Sequence, residues 1–181
     1  MNIKTKSLTK TALFSALIAV GSFVPVPMYP VPVTLQTFFV FMAGLLLTPA
    51  EAFLSVAVYT IIGLVGIPVF AGFTGGVQSV FSPSFGFILG FSLGAYSIAL
   101  LVRKFKEESI YKNFLAIFIG NAFIYLIGLT YMYFILKSLG KAPDSLYGVL
   151  SIGMIPFIPG DLLKMIVASI AAPKIKKALM D

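Results

Sequence analysis

The sequence predicts an all-α integral membrane protein of six transmembrane helices, and three observations predict it. Hydrophobic residues make up 59% of the 181-residue chain and charged residues 10%, against about 25% charged in an ordinary soluble domain. The apolar residues fall into runs of roughly 15 to 25, the length that crosses a bilayer. The basic residues also divide unevenly between the two sides that alternating spans create.

The first span is expected over 9–24. Its basic start resembles a signal peptide, but no soluble domain follows, so it reads as a membrane helix. It ends in VPVPMYPVPV, where Pro25, Pro27, Pro30 and Pro32 forbid helix. The second span is expected over 34–47 and the third over 50–65, joined by a tight turn at TPAE, 48–51. The uncharged, Gly-rich stretch GIPVFAGFTGGVQSVFSPS, 66–84, is expected to be largely non-helical. A fourth span over 85–102 leads to the charged loop RKFKEESIYK, and a fifth runs over 113–136. After KSLGKAPDS, residues 146–155 suit a short interfacial helix. PFIPGD restarts the chain, and the sixth span begins over 161–172. The whole of 1–181 reads as one membrane domain.

With the N-terminus cytoplasmic, inside segments hold Lys4, Lys6, Lys10, Arg103, Lys104, Lys106, Lys112, Lys174, Lys176 and Lys177, ten of the thirteen basic residues. Lys137 and Lys141 fall outside, and Lys164 lies in the last span. This bias requires an even number of spans and puts both ends inside. It also accounts for the net charge of +7 as an orientation signal and not a nucleic-acid surface.

The chain has no cysteine and no histidine. Disulfides, Cys/His zinc sites and Ser-His or Cys-His nucleophile pairs are therefore excluded. Of six carboxylates, Glu107 and Glu108 alone are adjacent, and they sit in a basic loop. No GxxxxGK[ST] phosphate loop is present. No chain of carboxylates or histidines runs through the spans as a proton relay would need. No pair of inverted repeats is visible. The residues supply no coupling device and no nucleophile–base pair, so the chain is expected to be neither an enzyme nor a self-powered pump.

Several polar features remain. The two outside loops before the fifth span carry no charge, which suits segments folded over the bundle mouth. Asp161 and Lys164 are three apart on one helical face, and Asp161 follows Pro159-Gly160 at a helix start, where the dipole favours it. They are either a mutual salt bridge with a cap or a ligand site with one cation and one acceptor. Asn121 and Tyr125 share a face of the fifth span; Asn121 either bonds another helix or meets a ligand. Gln36 opens the second span and Gln78 stands in the second loop, each interfacial or turned into the mouth. Ala12 and Ala16 form an AxxxA spacing that lets another helix approach.

The stretches VPVTLQTFFVFMAGLLL, GIPVFAGFTGGVQSVFSPSFGFILGF, GNAFIYLIGLTY and PFIPGDLLK, in this order across nearly the whole chain, resemble the BioY family, the substrate-binding S components of energy-coupling-factor (ECF) biotin transporters. The resemblance implies six helices, biotin bound near the outer face, and partnership with a transmembrane T component and two ATPases. It implies no cofactor in this chain, with ATP used by the partners. Ala12 and Ala16 match the family's docking surface for the T component. The resemblance would put Lys164 on the valerate carboxylate and Asp161 on the ureido ring. Asn121, Gln36 and the loop of Gly72, Phe73, Thr74, Gly75 and Gly76 would line the rest, with Tyr125 beside Asn121. Two departures stand out: SPSFG at 82–86 where the family often has GPTGG, and Phe73-Thr74 where it often has a polar or basic residue. An S component for another vitamin, or a biotin facilitator acting alone, are the rival readings.

Overall fold

The structure is a computed structural model and describes residues 3–105 and 109–178, without the side chains of Ile3, Lys4 and Ala178. The sequence-stretch features at Lys106, Glu107 and Glu108 lie outside the described residues. Within them the chain forms seven α-helices: α1 (Ile3–Ser22), α2 (Gln36–Leu46), α3 (Pro49–Leu64), α4 (Phe85–Lys104), α5 (Ile110–Ser138), α6 (Leu146–Gly153) and α7 (Ile158–Ala178). Six correspond to the expected spans, and α6 is the expected short helix.

Their lengths are less even than the apolar runs suggest. α4, α5 and the stretch Leu146–Lys177 are each long and apolar enough to cross a bilayer. α2 has 11 residues, about 16 Å, and α3 has 16, about 24 Å. The apolar run at 34–47 is thus not all helix. At one end, Val26 and Val33 exchange backbone hydrogen bonds of 2.7 and 3.1 Å, which holds the Pro-rich segment extended up to α2. At the other, Thr48 and Glu51 form a reciprocal capping box, with Pro49 in the first turn of α3. The box satisfies two backbone donors and stops α2 where it does.

α4 and α5 form the most extensive pair, and glycines set their spacing. A Cβ on Gly94 would stand 2.6 Å from Ile124 Cγ1, and one on Gly120 would stand 2.4 Å from Ile98 Cγ1. Backbones approach this closely in membranes through small residues, because lipid tails give no hydrophobic drive between helices. α1 is tied to α3 by Ser15 Oγ, which donates to the Ser55 carbonyl at 2.7 Å.

The alternating helices bring the C-terminal ends of α1, α3 and α5 and the N-terminal ends of α2, α4 and α7 to one end of the bundle, here termed the mouth. The segment 65–84 folds across it. Phe70 and Thr74 bridge each other, with Gly72 (φ +76°) and Phe73 (φ +56°) at the tip, and Val77–Phe81 makes a 3-10 turn. The expectation of a largely non-helical segment agrees with this path.

Candidate functional site

Beneath the mouth lies a cavity of about 300 Å³. One wall comes from α5 and α7. Pro159 and Gly160 occupy the first turn of α7, where no intrahelical donor is needed, so Asp161 sits near the positive end of the helix dipole. Asp161 is buried, and Lys164 follows one turn later on the same face.

These two side chains anchor a short polar network. Lys164 Nζ donates to Asp161 Oδ1 at 3.2 Å and to Thr37 Oγ1 at 2.8 Å. The Thr37 hydroxyl donates to Asp161 Oδ1 at 3.4 Å. Tyr125, from α5, donates its hydroxyl to Asp161 Oδ2 at 2.5 Å. The pair carries no net charge. It offers a cationic donor and an anionic acceptor side by side, in a site whose other lining side chains are uncharged.

One turn before Tyr125 on α5, Asn121 also lines the cavity. It is 5% exposed, and its Oδ1 has no hydrogen-bond partner among the described residues. A buried acceptor left unpaired costs about 1–3 kcal/mol. Gln36 is different. Its Nε2 donates to the Tyr59 hydroxyl at 2.6 Å, and its Oε1 accepts from Thr34 Oγ1 at 3.0 Å. It lines the cavity with its amide already held.

The rest of the lining is rich in aromatics, drawn from α4, from the 65–84 loop and from the turn just before α7. Phe70, Phe85, Phe87, Phe91 and Phe157 supply flat surfaces, with Phe87 and Phe157 stacked at 6.3 Å and 17°. Ser79, Ser82, Ser84 and Gln78 stand where this lining meets the mouth.

The structure brings Asp161, Lys164, Asn121, Tyr125, Gln36, Thr74, Gly75 and Gln78 to one cavity. It does not bring Gly72, Phe73 or Gly76 to its lining. Phe73 turns away and stacks on Phe23 at 4.8 Å and 9°. The Gly76 N–H is spent on the Gly63 carbonyl at 2.7 Å. Ala12 and Ala16 are exposed on the outward face of α1, away from the cavity. Residues that sequence reasoning passed over are Thr37, the aromatics and the three serines. Thr37 meets α7 across 127 positions of chain, and nothing local announces that meeting. Ser82 and Ser84 stand in the SPS segment, where a departure was visible but its direction was not; Ser79 precedes it in the 3-10 turn.

A profile described as the BioY family matches residues 1–181. The chain is 38% identical over 172 residues to the biotin transporter BioY of Thermotoga maritima, covering 95% of this chain and 96% of that one. It is 37% identical over 174 residues to the probable biotin transporter BioY of Pyrococcus horikoshii, covering 96% and 98%. Among solved structures it is similar to the crystal structure at 2.1 Å of the S-component for biotin from an ECF-type ABC transporter. The TM-score is 0.85 at 28% identity, over 98% of this chain and 95% of that one.

Proposed function

Since the chain belongs to the BioY family, we propose that it is the biotin-binding membrane subunit of an ECF-type vitamin transporter. It sits in the plasma membrane as a multi-pass protein. It captures biotin at the outer face and releases it inward when coupled to a T component and two ATPases. In this reading 1–181 is one substrate-binding domain with both ends cytoplasmic, and Ala12 and Ala16 on the exposed face of α1 meet the T component.

The observation that carries the ligand assignment is the donor–acceptor pair Lys164–Asp161 beside the unpaired Asn121 Oδ1. Biotin is a bicyclic body with a urea at one end and a carboxylate at the end of a flexible arm. Two groups 3.2 Å apart meet the same end of an extended ligand. A urea presents a carbonyl acceptor flanked by N–H donors, which fits a cation beside a carboxylate. A ligand carboxylate would be repelled by Asp161. The urea carbonyl then accepts from Lys164, one N–H faces Asp161, and the other N–H faces Asn121 Oδ1. The sulfur ring lies among Phe85, Phe87 and Phe157, and the acid arm points toward the mouth. A mostly apolar pocket with a few placed polar groups suits such a molecule.

Calorimetric titration of the purified chain, without partners, tests the assignment. Saturable one-site binding of biotin, and none of thiamine or riboflavin, is expected. Absence of biotin binding removes the proposal, and binding of another vitamin instead replaces its substrate.

A further inference from the structure

The mouth end carries two rims of opposite character. One is formed by 23–35 and 65–84, and it holds no charged residue. Glu51 is the single charge between Lys10 and Arg103, and it stands at the α2–α3 turn, the far end of the bundle. Most exposed side chains of this rim are apolar: Tyr29 is 72% exposed, Val65 78%, Phe73 65%, Val77 68% and Phe81 73%; the exposed polar ones, Thr74 and Gln78, bond the Ala71 and Gly75 carbonyls of the same loop. The other rim, 137–145 beyond α5, carries Lys137, Lys141 and Asp144, all exposed.

Helix length places the apolar rim. α2 and α3, at about 16 and 24 Å, fall short of a hydrocarbon core of about 30 Å. With their shared turn and Glu51 at the opposite boundary, their mouth-end tips stop inside the leaflet. Backbone bonding agrees. Ser22 Oγ donates to the Val69 carbonyl, Tyr131 to the Val80 carbonyl and Gln78 Nε2 to the Gly75 carbonyl. Two bridges and the Gly76–Gly63 bond satisfy further groups. A chain leaving water must meet its backbone polar groups internally. Exposed apolar residues also carry on from the rim along the bundle, with Val20 on α1 and Val24 just after it, and Ile61 on α3 and Val65 just after it.

We propose that the rim of 23–35 and 65–81 is seated among phospholipids, at the acyl–headgroup boundary of the leaflet on the mouth side. The cavity then opens beside lipid on one flank and beside water on the flank of Lys137 and Lys141.

The chain has no tryptophan, so a single introduced one reports its surroundings. Phe81→Trp and Val77→Trp would probe the apolar rim, and Leu139→Trp the charged rim, each in vesicles of phosphatidylcholine. Lipid brominated near the glycerol end of its acyl chains is expected to remove most emission from the first two, which iodide leaves largely untouched. Leu139→Trp is expected to show the reverse. Iodide quenching of Phe81→Trp and Val77→Trp to the level of Leu139→Trp overturns the proposal. Protection of both from iodide and from brominated lipid also overturns it, because another protein copy then covers the rim.

Discussion

The two walls of the cavity are built differently. The α5–α7 wall places Asn121, Tyr125, Asp161 and Lys164 on helices, at spacings of four and three. The facing wall is made of aromatics, serines and a folded loop, and its polar groups are mostly bonded within the loop itself. In the proposed reading the groups that discriminate a ligand stand on the α5–α7 side, and α4 with the folded loop supplies shape and cover. Helix-borne groups hold their geometry more closely than loop-borne ones.

Substitutions on the helical wall therefore carry the largest expected effects. Asp161→Ala leaves Lys164 as an unpaired charge in a buried site and strips the acceptor from Tyr125 and Thr37. Biotin affinity is expected to fall by about 100-fold or more by calorimetry, with a loss of stability of about 3–5 kcal/mol. The double change Asp161→Leu, Lys164→Met separates the two effects, because an apolar pair restores stability but not binding. Recovery of binding in the double variant would turn the pair into a structural salt bridge only.

Asn121→Ala is next. Its Oδ1 has no partner among the described residues, so the ligand-free protein is expected to keep its melting temperature while affinity falls about tenfold, the worth of roughly one hydrogen bond to a buried group. A lowered melting temperature with unchanged affinity would show an interhelical role instead.

The loop wall is expected to respond least. Phe73→Ala removes a ring that stacks outside the cavity, so affinity should stay within about twofold, as for surface substitutions away from a site. A tenfold loss would place the tip of the loop on the ligand after all, as the sequence pattern anticipated.

The same division governs what the sequence made legible. Low charge and long apolar runs announced a membrane bundle, and Pro and Gly marked where helices stop. α2 was harder to read, because its apolar run continues past both ends of the helix; a capping box and an extended Pro-rich segment end it. On the helical wall, Asp161–Lys164 and Asn121–Tyr125 were visible because helical periodicity fixes which residues share a face. In the loop, the glycines announced turns at Gly72 and Gly76, but a turn does not tell which side chains face inward. Phe73 went out, and Ser79, Ser82 and Ser84 came in. Thr37 joined the site through a contact between α2 and α7 that no local pattern encodes.

The central claim is that the adjacent Lys164 and Asp161 read the urea end of the ligand. The most direct test is titration of wild type and Lys164→Ala with biotin and with its uncharged arm amide. The expected result is an equal loss for both ligands, about tenfold or more, as for a lost hydrogen bond from a charged donor. A loss confined to biotin would contradict it and assign Lys164 to the carboxylate.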